Sequence, residues 1–492
     1  MKRSAGILLP ILSLPSAYGI GCFSQEAYSF ADFLKASGQR WWQILPLGHT
    51  GYGDSPYQTF SVFAGNPYFI DPDGLLKDGL LTEDECRKAV INEKNVNYEK
   101  LYNIRYPLLK KAYRRFEKDA KYEKFCRSQN WLEDYALFMA LKDKYGGKPW
   151  YEWDKSVRTR ETETIEKCRQ ELEAQTGFYK FIQYYFFKQW NSLKKYAEAA
   201  GVGIIGDIPI YTALDSADVW TSPELFQLDR EGLPKAAAGC PPDGFSAEGQ
   251  LWGNPLYDWA QHRETDFEWW ISRLEQCFKL YDAVRIDHFR GFDEYYSIPY
   301  GDKNAKRGHW EKGPGKALFD AVEKALGKRR FIAEDLGFMT DTVKKLVKDC
   351  GFPNMKVLEF AFDSRDTGSR EEHLPHNYGK NCVAYTGTHD NQTLRSWFES
   401  ISDEERQSVR NYLCDKDTPA EKLNTPLIAL AMRSRAKLCI IPMQDWLELD
   451  DSSRMNTPST VGSSWKWRLS SGELTVELQE KIKSMTEIFG RC

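Results

Sequence analysis

The sequence predicts an α/β fold, a (β/α)8 TIM barrel elaborated by large, mainly helical insertions. Three observations carry that expectation. Eight short apolar runs are bounded by Gly, Pro or Asp, longer stretches of helical periodicity separate them, and four of the runs end at or near a carboxylate. Short continuous apolar runs are the pattern of strands buried on both faces of a parallel sheet. Strand–helix alternation sustained over this length closes into a barrel.

The runs, in chain order, are Gly6–Leu12, Trp42–Leu47, Gly203–Ile210, Ala283–Asp287, Phe331–Glu334, Val357–Phe362, Cys382–Thr386 and Leu438–Met443. The first has a rival reading, because Lys2 and Arg3 ahead of Ile7–Leu12 mimic a short signal peptide. Pro10 and Pro15 interrupt it and Gly19-Ile20-Gly21 follows without a small-x-small cleavage site, so a first barrel strand is expected. No other apolar run approaches the ~18 residues of a membrane span.

Spacing between the runs is uneven. About 150 residues separate the second from the third, more than one helix and its loops require. Residues of about 80–200 are rich in Glu, Lys, Tyr and Leu at helical spacing and read as a helical insertion packed on the barrel. Its charge runs, Glu117–Lys124 and Glu161–Glu173, read as solvated helix faces. Residues of about 211–280 are rich in Gly, Pro and aromatics and read as a functional loop at the cleft. With no low-complexity linker and no internal repeat, one catalytic barrel spanning 1–492 is expected.

Composition narrows the function. Hydrophobic residues at 41% and charged residues at 28% describe an ordinary globular chain. A net charge of −4 gives no electrostatic reason for a nucleic-acid or anionic-membrane partner. Aromatics make up 14% of the chain, and flat rings suit the C–H faces of sugars as well as cores. The eleven Cys have an odd total and no C-x-x-C pair, so neither a disulfide framework nor a zinc site is expected. They read as buried thiols of a reducing cytosol.

Carboxylates carry the chemistry. Asp207, Asp287, Glu334 and Asp390 stand at or just past four of the runs, where barrels hold catalytic groups. One such acid alone would be a helix cap or a strand-end salt bridge. Three or four aimed at one rim repel, and one is forced to keep a proton, which makes a general acid at neutral pH. Two carboxyls serve glycoside hydrolysis and transfer: one attacks the anomeric carbon while the other protonates the leaving oxygen and then deprotonates the acceptor. Strand alternation points Arg285 the same way as Asp287, where a cation keeps a nucleophile ionised. His288 and His389, two of seven His, adjoin these acids. They admit a metal-hydrolase reading, but such sites gather several His, often as H-x-H, and none occurs here. Hydrogen bonding to sugar hydroxyls or to the carboxylates suits them better, and neither metal nor cofactor is expected.

Specific segments sharpen this. Tyr281–Phe292, with Arg285-Ile286-Asp287-His288 at its centre, resembles the nucleophile segment of the 4-α-glucanotransferases, the amylomaltase or disproportionating-enzyme family, glycoside hydrolase family 77. Ile332–Gly337 and Tyr385–Asn391 resemble its other two catalytic segments. Leu45-Pro46-Leu47, Gly53–Gln58, Pro241–Ser246, Gln250–Pro255, Pro442–Asp445 and Arg454–Pro458 resemble its cleft segments. The resemblance implies Asp287 as nucleophile, Glu334 as acid/base and Asp390 as the carboxylate that binds the sugar's hydroxyls and favours its distorted form. It further implies Arg285, His288 and His389 around the reacting glucose, with Tyr57 stacked beneath it. A loop from Asp243 to Trp252 would reach over the cleft, where Phe245 and Trp252 grip glucose units beyond the scissile bond. Asp207 and Asn456 would contact sugar or support the site. The substrates implied are α-1,4-glucans and maltooligosaccharides, with glucose as an acceptor, in the cytoplasm. The family lacks a separate C-terminal β-domain, which agrees with the short tail after Arg468. Cys22-Phe23-Ser24, Tyr295-Tyr296 and Ser463-Ser464 depart from the usual pattern, away from the carboxylates. An α-amylase-like hydrolase and a non-catalytic glucan-binding barrel are the alternatives; intact Asp287 and Glu334 motifs argue against the second.

Overall fold

A computed structural model describes residues 2–51, 53–242, 246–337, 339–364, 370–458, 460 and 462–492. Its strands, in chain order, are β1 (Ser4–Leu8), β2 (Trp41–Gln43), β3 (Gly203–Pro209), β4 (Ala236–Cys240), β5 (Gln250–Pro255), β6 (Ala283–Asp287), β7 (Glu294–Pro299), β8 (His309–Lys312), β9 (Phe331–Ala333), β10 (Asn354–Val357), β11 (Cys382–Tyr385) and β12 (Leu438–Pro442). Eight of them close a barrel in the order β1-β2-β3-β6-β9-β10-β11-β12, with β12 returning to β1. Every pair in it is parallel. The apolar runs behave as parallel strands must: Ile7, Leu8, Ile204, Ile205, Val284, Ile286, Val383 and Ile440 are wholly buried.

Three runs differ by more than one residue from the strands they predict. The first strand is Ser4–Leu8 and not Gly6–Leu12; Pro10 cannot donate to a ladder, and Ile11–Ser13 turns as a 3-10 helix. The sixth is Asn354–Val357, ending where the run Val357–Phe362 begins. Leu358 is already helical and Glu359–Ala361 forms a 3-10 turn. This turn is buried against β11, with the N–H groups of Leu358 and Glu359 donating to Tyr385 O and Thr386 O. Burial gives a turn the same apolar signature as a strand. The second run is cut short at Gln43, ahead of Pro46.

Between β2 and β3 lie helices that include Tyr98–Arg115, Leu132–Lys144 and the 27-residue Glu173–Ala199. Buried His49 ties the loop after β2 to this layer. Its Nδ1 lies 2.6 Å from Tyr135 Oη and its Nε2 2.7 Å from Tyr106 Oη. Gln183, on the longest helix, grips the same loop through both the N–H and the carbonyl of Gly65. Residues 211–280, expected as loop, hold β4, β5 and the helices Trp259–Glu264 and Glu268–Leu280. With β7 and β8 these strands form an antiparallel sheet in the order β5-β4-β7-β8, standing beside the barrel. Glycines and a bulge between Ala237 and Gly239 hide its alternation from a sequence reading. At the chain's end Arg491 donates to the carbonyls of Ser4, Met432 and Ser434, closing the side of the barrel where β1 begins. Cys22, Cys86, Cys126, Cys168, Cys277, Cys350, Cys382, Cys414, Cys439 and Cys492 are free. Among the described residues no helix is long and apolar enough to cross a membrane.

Gly206, beside Asp207 on β3, is packed against the ring of buried Tyr281, and a Cβ at this position would penetrate that ring. The Gly206→Ala variant is expected to be destabilised by about 1–3 kcal/mol through overpacking, read as a lowered melting temperature. An unchanged melting temperature would contradict this packing.

Candidate active site

Strand register brings the acids together. On β3 and β6, Asp207 stands opposite Arg285 and Pro209 opposite Asp287. On β6 and β9, Ile286 stands opposite Ala333, so Glu334, the next residue, is level with Asp287. Neighbouring strands run ~4.8 Å apart, which makes these two carboxyls neighbours at the rim with the Asp207–Arg285 pair one layer below. Arg285 Nη1 lies 2.6 Å from Asp207 Oδ2 and 3.0 Å from Asp287 Oδ1. Its Nε faces Met355 Sδ at 3.4 Å. The side chain of Asp207 is 0% exposed, while that of Asp287 is 29% exposed, so only the latter faces the cleft. Asp335 takes no part: it accepts the Met355 N–H at 2.9 Å and braces β10.

The chain leaves β6 through His288 in the left-handed region, φ 53°. That conformation costs about 1–2 kcal/mol and turns the His288 N–H back onto Glu334 Oε2, at 2.7 Å. The Leu336 N–H donates to Oε1 at 2.8 Å, so both carboxyl oxygens of Glu334 are oriented by backbone. Burial pushes the Glu334 carboxyl up to about 8, and the charge of Asp287 adds to the rise. Burial also raises Asp287, but the Arg285 guanidinium opposes it and leaves that group at about 6. At neutral pH the proton shared by the pair therefore resides on Glu334 and the charge on Asp287.

Asp390 reaches the cleft from the loop after β11, with a side chain 42% exposed. Asn456 Nδ2 donates to its Oδ1 at 2.6 Å, and the Asn456 N–H donates to His389 O at 3.1 Å. Arg454 Nη2 donates to Asp390 O at 2.6 Å. His389 Nε2 lies 2.8 Å from Tyr57 Oη and 3.4 Å from Asp390 Oδ2. The Tyr57 hydroxyl donates to Asp207 Oδ2 at 3.1 Å, so it accepts from His389, which assigns the imidazole proton to Nε2. The Tyr57 ring stacks on His389, centroids 5.3 Å apart and planes 17° apart, and Trp465 tilts against both.

Trp252, on β5, sets its ring edge-on to His288 with centroids 4.8 Å apart. Burial, reinforced by Arg290, holds the His288 imidazole down at about 3, so it is neutral. Its Nε2 has no hydrogen-bond partner among the described residues. Ten of the twelve residues singled out from the sequence are thus found at this rim or directly beneath it. Asp243 and Phe245 lie outside the described residues. Asp207 supports Arg285 and Tyr57 and has no exposed surface to offer a sugar. Sequence reading assigned no role to Trp465, Arg454 or Asn391. All three lie in or near quoted segments, but nothing local marks which side chain turns inward. Among the described residues no group of three or more His, Cys, Asp or Glu side chains converges as metal ligands do.

Residues 9–475 match the family model described as 4-alpha-glucanotransferase. The 4-alpha-glucanotransferase of Clostridium butyricum is 48% identical over 489 residues, covering 98% of this chain and 99% of its own. That of Aquifex aeolicus is 45% identical over 492 residues, covering 99% of each. The structure of amylomaltase from Streptococcus agalactiae in complex with acarbose superposes with a TM-score of 0.96 at 42% identity, covering 100% of both chains.

The buried ion pair makes a signed prediction. Asp207 raises the Asp287 carboxyl and Arg285 lowers it. Hence Arg285→Met should shift the acid limb of kcat/KM to higher pH, and Asp207→Asn should shift it to lower pH. Arg285→Met should also cost about 3–5 kcal/mol of stability by leaving Asp207 buried without its cation. Limbs that move in the same direction in both variants would refute the assignment.

Proposed function

The chain belongs to the 4-alpha-glucanotransferase family, and from that membership we propose that Asp287 is its nucleophile, Glu334 its acid/base and Asp390 its sugar-orienting carboxylate. The observation that carries the reading is the pairing of two level carboxyls at the barrel rim, one kept ionised by Arg285 and the other kept protonated. Ionised Asp287 attacks the anomeric carbon of an α-1,4-linked donor while Glu334 gives its proton to the departing O4, leaving a covalent glucosyl-enzyme. Glu334, now ionised, takes the proton of an incoming 4-hydroxyl, and the sugar passes to the acceptor with net retention. Asp390 binds the hydroxyls of the reacting glucose and favours its distorted form, supported by its exposure and by the Asn456 and Arg454 contacts behind it.

Arg285, His288 and His389 line the reacting sugar in this reading, Tyr57 lies beneath it, and Trp252 grips units beyond the scissile bond. Either water or a sugar can open such an intermediate, and the family membership favours the sugar. We assign α-1,4-glucans and maltooligosaccharides as substrates and glucose as an acceptor, a choice supported by the acarbose carried by the Streptococcus agalactiae enzyme. A cytoplasmic role in maltodextrin or glycogen turnover is supported by the ten free thiols named above.

Two measurements test this reading. Maltotriose given to the wild type should yield glucose and a ladder of longer maltodextrins without net gain of reducing ends. A folded Asp287→Asn preparation should be at least ~10⁴-fold slower, and wild-type disproportionation by it would reject the nucleophile assignment. The pH profile of kcat/KM should be a bell: the rate rises as Asp287 loses its proton near pH 6 and falls as Glu334 loses its own near pH 8. Retained activity well above pH 8 would remove Glu334 as the acid.

A further inference from the structure

Glu359 lies beneath the catalytic rim, in the 3-10 turn that follows β10, and is 3% exposed. Its Oε2 accepts a hydrogen bond from Asn391 Nδ2 at 3.0 Å. Asn391 Oδ1 in turn accepts from the Thr388 N–H at 2.9 Å and from the Thr388 hydroxyl at 2.8 Å. Thr388 Oγ1 then accepts the N–H of Asp390 at 3.2 Å. Since the Asn391 carbonyl is occupied by two donors, its amide nitrogen has to face Glu359, which must present an acceptor there. A Cβ at Gly387 would fall 2.6 Å from Glu359 Oε1, so glycine is what lets the carboxyl come this close. The far side of the same segment is held by buried Asp445, which accepts from Thr386 Oγ1 at 2.5 Å and from the Leu394 N–H at 2.8 Å.

We propose that Glu359 is a positioning residue for the glucan-transfer reaction, acting through Asn391 and Thr388 to set the main chain of Asp390 at the cleft. The inference rests on the reading of Asp390 as the sugar-orienting carboxylate. Burial, with Asp445 nearby, raises the Glu359 carboxyl well above the usual range. A carboxyl and a carboxamide both present an sp2 oxygen to the Asn391 amide, so glutamine is a faithful replacement and methionine, similar in volume but with no such acceptor, is not.

The test is maltotriose disproportionation, with melting temperatures, for Glu359→Gln, Glu359→Met, Asn391→Ala and Asp390→Asn in the full-length protein. Glu359→Gln should keep kcat within about twofold of wild type. Glu359→Met should lose about tenfold in kcat, the effect of one buried hydrogen bond misplacing a catalytic group. Asn391→Ala, which breaks the relay but leaves Glu359 in place, should lose as much and remains informative if the methionine variant does not fold. Wild-type kcat in Glu359→Met or in Asn391→Ala would overturn the proposal, as would a Glu359→Gln enzyme impaired like the methionine variant. If Asp390→Asn is fully active, the assignment of Asp390 fails and this inference falls with it. If Asp390→Asn is impaired while Glu359→Met is not, only the positioning role fails.

Discussion

The guanidinium of Arg285, held between Asp207 and Asp287 inside the barrel, is the interaction on which the rest of the site depends. Burying an ion costs several kcal/mol, and an unpaired carboxylate at the depth of Asp207 would either protonate or unfold its surroundings. One cation serving two anions resolves this for both. Asp207 can then accept from Tyr57 as well, and Tyr57 fixes His389, which touches Asp390. Asp207, Asp287 and Asp390 are thus connected through Arg285, Tyr57 and His389. The fourth carboxyl, Glu334, is held among the described residues by two backbone N–H groups. Burial and the charge of Asp287 raise it, while Asp287 touches the guanidinium directly, and this separates the proton affinities of the two.

The insertions serve the same rim from outside. The loop that carries Tyr57 would be a long excursion from a three-residue strand, but His49 and Gln183 pin it to the helical layer. The antiparallel sheet brings Trp252 over His288, whose left-handed backbone is in turn what orients Glu334. The sheet therefore bears on Glu334 through His288, and the helical layer bears on Asp390 through Tyr57 and His389. A barrel of short strands supplies the level carboxyls; the added layers set the rings of Tyr57 and Trp252 against His389 and His288 beside them.

Much of this was legible in the sequence. Eight apolar runs were enough to predict a parallel barrel, because strands buried on both faces must be apolar throughout. Arg285 and Asp287, two apart on one strand, necessarily point the same way. The segments around Asp287, Glu334 and Asp390 identified the family without any structure. Ambiguity arose where burial and conformation separate: Val357–Phe362 is as apolar as a strand and folds as a turn.

What the sequence determined by itself, then, is the barrel, the family and the acids that meet at its rim, since these follow from residue type, local periodicity and short motifs. Tertiary structure alone decided which carboxyl holds its proton more tightly, that Asp207 is buried against Arg285 and Tyr57, and that Glu359 stands behind Asp390. The physical reason is range. Register between β6 and β9, burial depth and the sharing of one guanidinium involve residues scores of positions apart, and no local pattern encodes the distance between them.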